Sequence, residues 1–178
     1  IGEAFRAIGV KVIVEPRITP LMGNTDSSGI WRWGTLQCFF LKNRAVRACR
    51  KICEEFAPDI VHLNSSVLFH LAKGAKLAGV KQLVLHVREH WALKSWDPRE
   101  RLKHTLVPRY VDAIVAISET ASRLFGYPER TVVVYDWPEF EGRDEPVNLQ
   151  TELGISPEKK VILCPGGRYP IKGSLMAL

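Results

Sequence analysis

Hydrophobic residues follow two alternating patterns along this chain. Short continuous runs rich in Val and Ile are typical of buried β-strands, and apolar residues that recur about every 3.6 positions are typical of amphipathic helices. The first pattern predicts strands at 10–14, 59–63, 82–87, 113–117, 131–134 and 160–164. The second predicts helices over about 35–56, from 64–66 to Gly79, within 98–110, and from Ser118 to Gly126.

The order of these elements predicts the fold class. Apolar strands that alternate with amphipathic helices form a parallel sheet covered by helices on both faces. Right-handed crossovers make such a sheet doubly wound, so we expect an α/β, Rossmann-like domain over residues 1–136. Residues 137–157 are rich in proline and charge and predict a linker, and residues 158–178 predict the first strand and loop of a second domain.

Both ends of the chain look interrupted. Residues 1–9 resemble the last turns of a helix that stops at Gly9, a common residue just beyond a helix. The other end has a strand run followed by a Gly-Gly turn, which is how a nucleotide-binding domain usually begins. We therefore expect a fragment truncated at both ends.

Polar residues follow most of the predicted strands. In open α/β sheets, ligands bind where the loops leave the carboxyl ends of the strands. A small-molecule site is therefore expected along this rim. The segments at the strand ends are Glu15–Arg17, Asn64–Ser66, Arg88–His90, Ser118–Glu119, Tyr135–Asp136 and Pro165–Arg168.

The turn Gly166-Gly167-Arg168, with Lys172 and Gly173 after it, has the composition of a phosphate-binding loop. Glycines let the backbone approach a phosphate, and the N-terminus of a following helix favours anions. Arg168 can bind a pyrophosphate through two hydrogen bonds, and Lys172 adds a compact charge. The alternative is a plain strand–turn–helix corner whose basic residues are solvated.

His86, Arg88 and Glu89 form a second candidate group at the end of a predicted strand. An imidazole at a strand end can hydrogen-bond a sugar hydroxyl or a phosphate, and it titrates near neutral pH. The alternative is a core histidine beside an Arg88–Glu89 ion pair that stabilises the loop.

Asn64, Ser65 and Ser118 precede predicted helices. Asn and Ser are favoured helix N-caps, because their side-chain oxygens accept hydrogen bonds from the first backbone N–H groups. Capping is therefore the first interpretation of these residues and contact with a ligand the second. The sequence contains no Ser-His-Asp order, zinc-ligand spacing or paired-carboxylate motif that stands out.

The chain carries a net charge of +6, which indicates an anionic partner such as nucleic acid, anionic lipid or a phosphorylated small molecule. No stretch approaches the ~20 apolar residues of a membrane span. One predicted helix has a basic polar face, which is either solvated or in contact with a membrane surface. The basic residues of that face are Arg44, Arg47, Arg50 and Lys51.

Two cysteines bear on the compartment. Cys49 and Cys53 are four residues apart among apolar residues of a predicted helix. This setting fits reduced core thiols better than disulfides or a metal site. A cytoplasmic protein is therefore expected.

Six short segments occur in a recognisable order along residues 1–178. They are Pro58–His62, His86–Glu89, Val111–Ser118, Val132–Tyr135, Leu153–Ile155 and Gly166–Gly173. In this order and spacing they resemble the retaining glycosyltransferases of family 4, which have the GT-B fold. The resemblance implies two Rossmann-like domains that face each other, the first receiving mainly the acceptor and the second holding a nucleoside-diphosphate sugar.

The resemblance also implies a reaction and its participants. A sugar passes with retention from a nucleoside-diphosphate sugar to a saccharide or lipid-linked acceptor, in cell-surface polysaccharide or glycolipid synthesis, without a metal or other cofactor. The protein would be cytoplasmic, in peripheral contact with the inner face of the membrane, and would bind no nucleic acid. Residues 1–178 alone would transfer no sugar.

Roles for individual residues follow from the same resemblance. Arg168 and Lys172 would stabilise the departing diphosphate, and His86 would lie near the reacting sugar. Diphosphate binding would involve Gly166, Gly167, Arg168, Lys172 and Gly173, and the acceptor side would involve Asn64, Ser65, Arg88, Glu89 and Ser118.

Two departures from the family pattern and two alternatives accompany this hypothesis. Gly167 stands where the family usually has its arginine, and Asp136–Glu139 replaces the frequent Asn-Gly-Val-Asp. The first alternative is a non-catalytic, basic Rossmann-like module that binds nucleic acid or another polyanion. The second is a non-catalytic sugar-binding or structural relative.

Overall fold

The computed structural model describes residues 2–21, 33–136 and 148–161. The chain divides into two compact units, Ile1–Asp136 and Trp137–Leu178. The α-helices are α1 Gly2–Ala7, α2 Trp33–Phe56, α3 Ala72–Leu77, α4 Pro98–Tyr110, α5 Glu119–Phe125 and α6 Leu149–Glu152. The strands are β1 Ile60–Leu63, β2 Gln82–Val87, β3 Ala113–Ala116 and β4 Thr131–Val133, and 3₁₀ helices occupy Ser66–Leu71 and Pro128–Arg130.

The four strands form one parallel sheet in the order β1-β2-β3-β4. Leu63 is level with Leu85 across the first pair, and Val87 with Ala116 across the second. Every carboxyl end therefore lies at the same edge of the sheet. The predicted α/β class with a parallel sheet is confirmed.

The predicted strand at 10–14 is wrong. These residues belong to no strand, and the Val10 N–H donates to the Phe5 carbonyl, which closes the turn after α1. Val14 is 79% exposed. A β-branched composition favours an extended backbone, but a strand also needs a neighbour to accept its hydrogen bonds. Within the described residues this segment has none.

Local signals define the helices of the first unit. Asp97 caps α4 by accepting from the Arg99 N–H, with Pro98 as the first helical residue. Ser118 caps α5, which ends at the left-handed Gly126. The helix predicted to run to Gly79 is divided, because its first part is the 3₁₀ helix Ser66–Leu71 and only the second part is α-helical.

Alternate residues of the strands differ in exposure. Leu83, Leu85 and Val87 are buried, whereas Ile60 and Val132 are 57% and 64% exposed. Right-handed crossovers between strands added in one direction place their helices on one face. The order of the four strands has no reversal, so α3, α4 and α5, which connect them, lie on one face, and double winding remains a prediction.

Helices α2 and α3 approach closely at Gly74. A β-carbon at this position would lie 2.4 Å from the Val46 carbonyl oxygen, so only glycine permits the contact. Cys49 and Cys53 are free and buried beside it, which confirms them as core thiols. Burial, followed by the neighbouring Cys53, raises the pKa of Cys49 to about 12.

The described part of the second unit is short. Asn148 accepts hydrogen bonds from the Gln150 and Thr151 N–H groups and so caps α6. This helix lies inside the segment predicted as a linker. Lys160 and Val161 belong to no strand, and the rest of the strand predicted at 160–164 lies outside the described residues.

Candidate functional site at the carboxyl edge of the sheet

A carboxylate held by two serines lies where β1 and β2 end. The Ser65 hydroxyl donates to Glu89 Oε1 at 2.6 Å. The Ser66 hydroxyl and backbone N–H both donate to Glu89 Oε2, at 2.6 and 2.9 Å. We call Ser65, Ser66 and Glu89 the Glu89 cluster. It joins two of the predicted acceptor-side residues, Ser65 and Glu89, across neighbouring strands.

Glu89 is ionised at neutral pH. Burial opposes its charged form, but the hydrogen bonds from Ser65, Ser66 and the Arg88 backbone outweigh burial, so the pKa of the carboxyl lies below its usual range. A carboxylate in this state is a fixed hydrogen-bond acceptor. It is suited to orienting a hydroxyl group and unsuited to donating a proton.

The predicted Arg88–Glu89 ion pair is wrong. Arg88 Nη2 instead contacts Asp136 Oδ2 at 2.7 Å, and both side chains are about half exposed. Successive residues at a strand end point to opposite sides of the sheet. Glu89 therefore turns toward Ser65 and Ser66, while Arg88 reaches the segment that follows β4.

His86 lies on the face of β2 opposite the buried Leu85 and Val87. Its ring stacks on that of His62 from β1, with centroids 5.5 Å apart and planes at 20°. Burial, then the charge of Arg88, lowers the pKa of His86, so the imidazole is neutral at neutral pH. Its Nε2 atom is buried and meets no hydrogen-bond partner in the described part of the chain. This ring nitrogen therefore has a hydrogen bond that the described residues do not satisfy.

The other two predicted acceptor-side residues have different settings. The Ser118 hydroxyl accepts from the Ala121 N–H at 3.1 Å, which confirms it as a helix cap. Asn64 is exposed, and its side chain makes no hydrogen bond to another described residue. Ser65 is both a helix cap and a member of the Glu89 cluster, because its hydroxyl accepts from the Val67 N–H at 3.3 Å and donates to Glu89.

His62 is a member of the site that the sequence patterns did not predict. A signal was present, because His62 and His86 each occupy the next-to-last position of a strand. In a parallel pair, residues equally distant from the strand ends can lie on the same face of the sheet. The register pairs His62 with Val84, and His86 lies two residues further along β2 on the same face, so the two rings meet diagonally.

The loop after Glu89 is anchored by Trp91. This side chain is buried in edge-to-face contact with the rings of Phe69 and Phe125. Its indole N–H donates to Glu100 of α4. The Phe69 contact joins the loop to the 3₁₀ helix that carries Ser66, so Trp91 supports both sides of the Glu89 cluster.

The predicted phosphate-binding residues Gly166, Gly167, Arg168, Lys172 and Gly173 lie outside the described residues, and their roles remain predictions. Within the described ranges, no group of three or more His, Cys, Asp or Glu side chains could hold a metal ion.

Known proteins give no further guide to the site. Comparison with protein-family models, with curated proteins and with solved structures finds no match for this chain.

Proposed function

We propose that this chain forms the acceptor side of a retaining glycosyltransferase of the GT-B type, with a nucleoside-diphosphate sugar as donor. The observation that supports this function best is the Glu89 cluster beside His86, at the carboxyl edge of a parallel sheet. Ligands of open α/β sheets bind at this edge. The order of the six family-like segments, one of which contains His86 and Glu89, also supports it.

The chemistry of the edge suits a saccharide. An ionised carboxylate accepts hydrogen bonds from sugar hydroxyls, and a neutral imidazole with a free nitrogen can accept or donate one more. Ser65 and Ser66 donate three hydrogen bonds to Glu89, which hold the carboxylate rigid. Asn64 adds an exposed amide at the same edge.

On the donor side, the proposal assigns Arg168 and Lys172 to the diphosphate. Charge grows on the leaving diphosphate as the glycosidic bond breaks, and positioned cationic groups stabilise that charge. His86 would lie near the reacting sugar. The reaction then requires neither a general acid at Glu89 nor a cofactor.

The first test is turnover of nucleotide-sugars by the full-length protein that contains this chain. Release of nucleoside diphosphate is measured over a panel of donors and soluble saccharide acceptors. Glu89→Gln keeps the shape of the side chain and removes its charge. It is expected to lower kcat/KM for the acceptor roughly tenfold or more, since a hydrogen bond to a charged group is weakened.

Glu129→Gln is the matched control, because Glu129 is exposed on the 3₁₀ helix after α5. Its kcat/KM should equal that of the wild type, and melting curves should show that both variants fold. If no donor is turned over while polynucleotides bind with strong salt dependence, the polyanion-binding alternative replaces this function.

A further inference from the structure

One side of α2 carries a row of basic residues that faces away from the core. Ala45, Cys49 and Cys53 are buried on the opposite side, where the helix packs against α3 at Gly74. Residues spaced by three or four positions share one side of a helix. The exposed residues with this spacing are Phe40, Arg44, Arg47 and Lys51, which we call the α2 stripe.

The charges of the α2 stripe are incompletely neutralised. Within residues 2–21, 33–136 and 148–161, neither Arg47 nor Lys51 makes an ion pair. Arg44 lies near Glu15, but that carboxylate is already bound by Arg17. A positive field therefore remains along the middle of the helix.

Acidic residues limit the stripe at one end only. Glu54 and Glu55 are exposed in the last turn of α2, and Glu54 pairs with Arg50 at 2.7 Å. The other end carries an aromatic ring, since Phe40 is 78% exposed and the adjacent Leu41 is 37% exposed. The stripe thus runs from an apolar end through three basic residues to an acidic end.

An apolar group next to a basic row matches the surface of an anionic bilayer. The apolar side chain enters the boundary between headgroups and acyl chains, and the basic side chains remain among the headgroups. Surfaces that bind single-stranded nucleic acid instead interleave several aromatic rings with their basic residues. The described part of the α2 stripe has one ring, at its end, which favours the bilayer.

We propose that the α2 stripe docks this protein on an anionic membrane surface, with Phe40 inserted and Arg44, Arg47 and Lys51 over the anionic headgroups. The contact is peripheral, since no described helix is long and apolar enough to cross a bilayer. The proposal does not depend on glycosyl transfer, because it rests on the exposed side of α2 and uses no residue of the Glu89 cluster.

The test is cosedimentation with vesicles of phosphatidylcholine mixed with phosphatidylglycerol, and with vesicles of phosphatidylcholine alone. Each basic residue near an anionic surface contributes about fivefold to partitioning. The triple variant R44S/R47S/K51S is therefore expected to lose about a hundredfold in binding to the mixed vesicles. Phe40→Ser is expected to lose about tenfold, and this loss should persist at high salt because insertion of a ring is not electrostatic.

The matched control is K94S/R101S/R123S, which removes the same charge from exposed positions outside α2. It should lose less than about fivefold, and circular dichroism should show native helix content in every variant. Equal losses in the two triple variants would overturn the proposal, because diffuse net charge would then explain binding.

Two further outcomes would also overturn it. One is the absence of wild-type binding to the mixed vesicles. The other is binding to oligonucleotides with the same loss in R44S/R47S/K51S and no binding to vesicles, which would make the stripe a nucleic-acid surface. Turnover of nucleotide-sugars is measured with soluble acceptors, so failure of the glycosyltransferase proposal is recorded separately.

Discussion

Two polar clusters of the first unit differ in how completely their hydrogen bonds are satisfied. Lys103 of α4 is fully buried, and its ammonium group donates to Glu100 Oε1 at 2.8 Å and to the Phe125 carbonyl at 2.6 Å. The rings of Trp91, Phe125 and Tyr127 surround it within 5.8 Å. At the carboxyl edge, by contrast, His86 keeps a buried ring nitrogen without a partner in the described part of the chain.

The two clusters therefore suit different purposes. A buried ammonium that donates to a carboxylate and to a backbone carbonyl holds elements together, and here it joins α4 to the end of α5. A polar group with an unmet hydrogen bond at an open edge costs free energy unless a ligand completes it. The comparison assigns Lys103 to stability, and ligand binding by His86 stays a prediction.

The largest expected effect on stability comes from removing Lys103 from its buried contact with Glu100. Lys103→Met keeps the length of the side chain but leaves Glu100 without its ammonium partner. Removing one member of a buried ion pair typically costs about 3 to 5 kcal/mol. Because Trp91 and His104 still contact Glu100, we expect a loss at the lower end, about 3 kcal/mol, in the free energy of unfolding measured by urea denaturation.

The double variant Lys103→Met/Glu100→Gln is the companion measurement. Removing both charges should recover part of the lost stability, because no buried charge is then uncompensated. If Lys103→Met is as stable as the wild type, the ammonium contributes no net stability. The difference drawn between Lys103 and His86 would then be wrong.

Acid should affect a second buried group, His70. This ring is fully buried and neither of its nitrogens makes a regular hydrogen bond to a described residue. Burial lowers its pKa from 6.5 to about 4, although the Thr19 and Val67 backbones partly oppose the shift. The unfolded chain therefore binds a proton at a higher pH than the folded protein does.

Because the unfolded chain takes up the proton first, acid destabilises the folded protein. His70 leaves stability unchanged above pH 6.5 and lowers the free energy of unfolding as the pH falls from about 6.5 to about 4. The loss reaches about 3 kcal/mol, since each pKa unit corresponds to about 1.4 kcal/mol. It is measured as the difference between wild type and His70→Leu in urea denaturation across this range.

His90→Leu is the control for His70, because His90 is exposed. It should follow the wild-type curve. Parallel curves for the wild type and His70→Leu would show that His70 is not protonated differently in the folded and unfolded states.

The smallest expected effect on stability is that of a substitution at the carboxyl edge of the sheet. His86→Leu removes a ring nitrogen whose hydrogen bond is unmet, so the free energy of unfolding should not decrease. Binding of a saccharide acceptor, followed by calorimetry, should weaken clearly. A large loss of stability with unchanged acceptor binding would assign His86 to the core instead.

Sequence reasoning succeeded where the determining interactions are local. The bounds of β2 and α4 agree with prediction, because an apolar run, the Asp97 cap and Pro98 each act within a few residues. Gly126 ends α5 for an equally local reason, since it adopts the left-handed conformation that glycine accepts readily. Such signals act within a few residues and do not depend on the rest of the fold.

The failures share a different cause. Residues 10–14 have strand-like composition, yet strand formation depends on a neighbour that composition does not specify. Arg88 and Glu89 are adjacent in sequence, yet the pleat separates them and the sheet supplies Asp136 and Ser66 as their partners. Adjacency along the chain was a poor guide to contact at the site.

The sequence by itself determined the alternation of elements, the parallel sheet, the caps of the helices and the location of polar residues at the carboxyl ends of strands. Tertiary structure alone decided that Glu89 is held by Ser65 and Ser66, that His62 stacks on His86, and that Lys103 is buried. The physical reason is the separation along the chain over which each interaction acts. Capping and periodicity act over one helical turn, whereas these contacts join residues on different elements, whose pairing depends on the register of the strands and the packing of the helices.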